Sequence, residues 1–122
     1  MAPEILSGKG YDFMVDLWSL GVIIFEFMCG YLPFGEDCDD PYQIFEEIMM
    51  KSLEFPDYMK SETAKSFILQ LLNKKPESRL MGSYDTLKNN KFFDGIDWCD
   101  LIEKKIKSPF EVPKEFLTEI RE

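Results

Sequence analysis

The segment from Leu17 to Cys29 is apolar apart from Ser19 and Glu26, and it constrains the fold more than any other part of the chain. It is well short of the ~20 residues that a membrane span needs. It predicts a helix that is apolar on nearly every side, and such helices are normally central and buried. Asp16 is placed to cap its start, because a short carboxylate accepts hydrogen bonds from the free amides of a first turn and complements the helix dipole. Gly30 stands where a C-cap is needed, and Pro33 prevents continuation. Glu26 is a costly charge inside this run unless it is paired or faces a polar cleft.

The flanking segments also read as helical. Asp40-Pro41 is an N-cap followed by a first-turn proline, and the helix it opens, Tyr42 to Lys51, carries an apolar stripe of Ile44, Phe45, Ile48 and Met49. A Met and Phe stripe of this kind is more often core than docking surface. Ser61 caps a helix in which Ala64, Phe67, Ile68, Leu71 and Leu72 fit the helical template in full. A short helix is expected within Ser83 to Asn90, and an amphipathic one from Trp98 to Ile106, with Leu101, Ile102 and Ile106 on one face. Glu54 to Asp57 and Ser108 to Pro113 read as extended, and residues 113 to 122 as a weak terminal turn. No segment alternates with the period of a strand. The expected architecture is all-α, with about five or six helices.

The residue inventory excludes several chemistries. The 122 residues include no histidine and three widely spaced cysteines, Cys29, Cys38 and Cys99, which suit neither a disulfide framework nor a zinc site. Without histidine, Ser-His and Cys-His nucleophiles are absent, and carboxylates are the remaining general bases. Of the net charge of −9, all lies in residues 1 to 50, where ten acidic side chains face the single Lys9. That field disfavours nucleic acid and anionic membranes and favours basic partners; acidic loops that merely aid solubility would give the same charge. No targeting segment is visible, so a cytoplasmic location is expected.

Ala2-Pro3-Glu4, Asp16-x-Trp18-Ser19-x-Gly21, Gly30-Tyr31-Leu32-Pro33-Phe34, Arg79 and Phe92-Phe93 occur in an order and spacing that resembles the second half of a protein-kinase large lobe. The segments Phe93 to Trp98 and Ser108 to Pro113 resemble the cyclic-nucleotide-dependent branch, and within it a cGMP-dependent-like serine/threonine kinase. The resemblance implies the helical lower half of an α+β kinase fold, with a partial kinase domain over residues 1–107 and the start of a tail extension over 108–122.

It also implies roles. Glu4 and Arg79 would form a buried ion pair, Asp16 would support the catalytic loop, and Trp18 and Gly21 would pack the core. Glu26 and Tyr31 would receive an arginine of a peptide substrate, and Ala2 and Pro3 would edge the groove beside the phosphorylated residue. The Gly-rich loop, the strand lysine and the catalytic and magnesium-binding aspartates of the signature precede Ala-Pro-Glu. The resemblance therefore places them upstream of Met1, together with ATP and magnesium, and no catalytic residue, metal or cofactor is expected here. The expected partners are a basic peptide or protein substrate and the upstream part of the kinase. Such a segment alone should not transfer phosphate. A rival reading is a non-catalytic helical module that binds basic peptides or partner proteins.

Overall fold

The computed structural model describes residues 1–10 and 12–121, the side chains of residues 80–82 and 119–121 excepted. Among the described residues the chain forms α1 (Pro3–Leu6), α2 (Met14–Cys29), α3 (Pro41–Met50), α4 (Glu62–Leu71), α5 (Tyr84–Lys88), α6 (Trp98–Ile102) and α7 (Lys114–Arg121). Tight 3-10 turns fill Pro76–Gly82 and Lys91–Phe93, and no strand occurs among the described residues. The all-α expectation holds, with short helices at both ends added to the anticipated count. Glu122, within the segment expected as a terminal turn, lies outside the described residues.

The core is the crossing of α2 and α4. Leu17, Trp18 and Phe25 of α2 are buried with Phe67, Ile68 and Leu71 of α4. The helices approach so closely that a Cβ added to Gly21 would lie 2.8 Å from the Leu71 Cβ. Aromatic rings extend this core on both sides. Trp18 stacks on Phe34 at 5.8 Å, and Phe67 stacks on Phe92 at 4.7 Å while meeting Phe93 edge-on.

Caps fix the helix ends. Ser61 and Asp40 accept from the Ala64 and Tyr42 amides, and Gly30 closes α2 in the left-handed conformation at φ +87°. Lys74 performs the same service for α3 from a distance. Its ammonium donates to the Ile48 and Lys51 carbonyls at 2.7 and 2.6 Å and lies over the Phe34 ring. Burial lowers its pKa.

Three expectations need correction. Asp16 does not cap α2: the helix begins at Met14, whose amide bonds to the Asp12 carboxylate at 2.9 Å, and Asp16 lies exposed within the first turn. The α2 helix is not buried all round, since Ile23, Glu26, Phe27 and Met28 are exposed, Phe27 at 83%. Finally, α6 stops at Ile102 rather than Ile106, because Lys104 turns into the left-handed region at φ +61°. Its Leu101 and Ile102, and Ile106 beyond, are exposed.

Candidate functional site

The 3-10 turn after α4 carries Arg79 into the interior, where it is 0% exposed. Its Nη1 and Nη2 donate to the two Glu4 carboxylate oxygens at 2.5 and 2.8 Å, a bidentate fork across 75 positions of sequence. Nη1 also donates to the Met14 carbonyl, and Nε to the Asn73 carbonyl at 2.7 Å. The guanidinium lies 5.1 Å from the Trp18 ring centre. Burial pushes the Glu4 carboxyl up, but the Arg79 hydrogen bonds, a backbone hydrogen bond and the Arg79 charge outweigh it and hold the group below the usual range. One side chain thus ties α1, the start of α2 and the end of α4 together. Ala2 and Pro3 are buried beside this pair, and Met1 is exposed.

A second polar constellation forms where the loop after α2 meets α3. Tyr31, Leu32, Pro33, Gly35, Glu36, Asp37, Glu47, Lys51 and Glu54 line a cavity of about 320 Å³. Two of its carboxylates build the loop. Glu36 accepts from the Leu32 amide at 2.8 Å, and Glu47 accepts from the Gly35 amide at 2.6 Å and from the Cys38 thiol. The Gly35 amide is the main cause holding the Glu47 carboxyl below its ordinary value. Gly35 itself has φ +81° and lies against Ile44, which leaves little room for a side chain. Asp37 and Glu54 have no hydrogen bond or ion pair among the described residues, and are available to a cation. Tyr31 packs edge-on against Phe25 at 5.6 Å, and burial, followed by Tyr58, Cys29 and Glu54, pushes its phenol up.

The structure therefore joins Glu4 to Arg79 and stacks Trp18 and Gly21 in the core. Tyr31 lies in the acidic cavity, whereas Glu26 lies on the exposed face of α2 beside Ile23 and Phe27 and is not among the cavity's lining residues. Asp16 sits exposed near the start of that same helix. Sequence reasoning missed Glu47, Glu54 and Lys74. The acidic run from Glu36 to Asp40 signals the loop, but no pattern along the chain shows that Glu47 reaches back to Gly35. Among the described residues no group of three His, Cys, Asp or Glu side chains is set to hold a metal ion.

A family profile described as "Protein kinase domain" matches residues 1–93, and those residues contain both constellations. The chain belongs to the protein kinase family. This kinase chain is 39% identical over 112 residues to the cGMP-dependent protein kinase of Plasmodium berghei, covering 89% of the chain and 13% of that protein. It is 39% identical over 112 residues to the cGMP-dependent protein kinase of Toxoplasma gondii, covering 89% of the chain and 11% of that protein. Serine/threonine-protein kinase sck2 of Schizosaccharomyces pombe is 42% identical over 114 residues, 91% of the chain and 17% of its own length. The chain thus spans less than a fifth of the length of each of these kinases.

Proposed function

We infer that these residues supply the scaffold and part of the peptide-binding surface of an ATP-dependent serine/threonine kinase that acts on basic peptides. Residues 1–107 would form the lobe segment and 108–122 the start of a tail. The observation that carries this reading is the cavity at Tyr31, where Asp37 and Glu54, with no partner among the described residues, lie beside a phenol hydroxyl. Charge-assisted bonds from a guanidinium or ammonium suit that lining. Glu26, exposed on α2, adds a further carboxylate for the same class of substrate. Ala2 and Pro3, being buried, would shape the neighbouring groove through the backbone rather than through free side chains.

Phosphoryl transfer depends on positioning and on electrostatic stabilisation by magnesium, a lysine and an aspartate base. The signatures that carry those groups are not among these 122 residues, so ATP, magnesium and catalysis belong to the complete kinase. The apolar face of α2 at Ile23, Phe27 and Met28 is the surface on which the rest of the lobe would pack. The similarity to cGMP-dependent kinases makes a cyclic nucleotide the regulator to test first in that complete protein.

Fluorescence anisotropy tests the peptide surface. An arginine-rich peptide should bind and an acidic one should not, and Glu26→Gln or Glu54→Gln should weaken binding roughly tenfold, as the loss of a charge-assisted bond implies. Equal binding of both peptides would overturn the reading. Phosphate transfer by residues 1–122 alone would overturn the division of labour. The second reading, a module that binds basic peptides without nucleotide, draws on the same cavity. Peptide binding with no gain when the catalytic part is restored would favour it.

A further inference from the structure

Several hydroxyls of the chain are committed to its structure. Ser61 and Ser83 cap α4 and α5, Ser7 donates to the Glu4 carbonyl, and Ser66 accepts from Gln70. Ser78 follows Lys74 and Lys75, but Lys74 is held on the α3 carbonyls and the next residue is the buried Arg79. Ser108 bonds only to the backbone of Phe110, two positions on, and differs from Ser78 in its surroundings. Three of the four residues before it are lysines, Lys104, Lys105 and Lys107. It lies in the connector between α6 and α7, and residues 101–118 are exposed throughout, so this stretch can enter a cleft without unfolding anything. The lysines are held only by solvent-exposed carboxylates, Lys105 to Glu103 at 2.7 Å and Lys107 to Glu111 at 3.3 Å. Such pairs are easily exchanged for others.

We propose that Ser108 is a phosphate-acceptor site for a serine kinase that reads lysines on the N-terminal side of the hydroxyl. In the step, Ser108 Oγ attacks the γ-phosphorus of a nucleoside triphosphate and the Oγ–P bond forms. The bond from that phosphorus to the β–γ bridging oxygen breaks, the nucleoside diphosphate leaves, and the hydroxyl proton passes to a base of the modifying kinase.

The modification has a local consequence. Ser108 Oγ donates to the Phe110 carbonyl at 2.7 Å and accepts from the Phe110 amide at 3.1 Å, which closes a small turn around Pro109. The esterified Oγ has no hydrogen to donate, so the first bond is lost. The phosphate brings a charge of about −1.5 to −2 and three strong acceptors. It competes with Glu111 for Lys107 and repels that carboxylate. The turn that leads into α7 is therefore loosened and Lys107 is re-paired. This site does not depend on the lobe's own ability to bind peptide.

The test incubates the full chain with labelled ATP and a kinase that selects basic residues N-terminal to serine, with a proline-directed kinase in parallel because Pro109 follows. Mass spectrometry should place phosphate on Ser108, Ser108→Ala should abolish it, and combined Lys104→Ala, Lys105→Ala and Lys107→Ala should slow it roughly tenfold or more, as the loss of charge-assisted bonds implies. The Phe110 amide resonance should shift on phosphorylation. Phosphate confined to other hydroxyls, indifference to the lysine replacements, or labelling by the proline-directed kinase alone would overturn the proposal. An unmoved Phe110 amide would overturn its structural consequence.

Discussion

The Arg79 guanidinium uses all three of its nitrogens inside the protein, on Glu4, Met14 and Asn73. Removing it leaves the Glu4 carboxylate buried without a cation, a loss that typically costs about 3–5 kcal/mol. Arg79→Ala should lower the urea midpoint accordingly. Arg79→Lys should recover only part of it, because an ammonium cannot form the planar fork. The Glu4 carboxyl also sets an acid limit. Its folded pKa lies below its unfolded value, so its contribution is complete above about pH 4.3 and is lost as the pH falls through the folded value. An acid titration followed by Trp18 fluorescence should show that transition, and Glu4→Gln should flatten it while lowering stability at neutral pH. The pair's two members were legible as motif residues, but neither the Met14 and Asn73 carbonyls nor the Trp18 ring can be read from spacing.

Between elements, the contact that decides the packing is Gly21 against Leu71 and Leu72. A single methyl there forces α2 and α4 apart, and overpacking of this kind costs about 1–3 kcal/mol. Gly21→Ala should show this in thermal unfolding, with larger side chains worse. At the start of α4, Ser61→Ala should cost about 1 kcal/mol through the lost cap to the Ala64 amide, measured by denaturant unfolding. Helix α4 was readable from sequence because its cap and its five apolar positions agree. The start of α2 was not, since Asp12 and Asp16 are equally good caps on paper and only the path of the chain before Met14 selects between them. The early end of α6 has a similar origin. The Lys105 amide bonds to the Asp100 carbonyl and the Lys104 amide to that of Leu101, a Schellman closure normally built on glycine. Lysine at that position gives no warning of it.

For the molecule as a whole, a net charge of −9 coexists with an apolar face on α2 and further exposed apolar side chains from Leu101 to Leu117. Repulsion opposes association and the apolar faces favour it, so added salt should tip the balance by screening the charge. Light scattering should show association that increases with protein concentration and with salt. Replacing Phe27 by serine should reduce it with little loss of stability, because that side chain is already largely in water. The bidentate link from Glu4 to Arg79 also sets how short the polypeptide can be made. Residues 99–118 bury little, so trimming from the C-terminus should leave the helical core intact for some twenty positions. Cutting back past Arg79 removes the cation that pairs with a carboxylate that α1 has already carried inside. At that length the remaining helices lose their closure together rather than one by one.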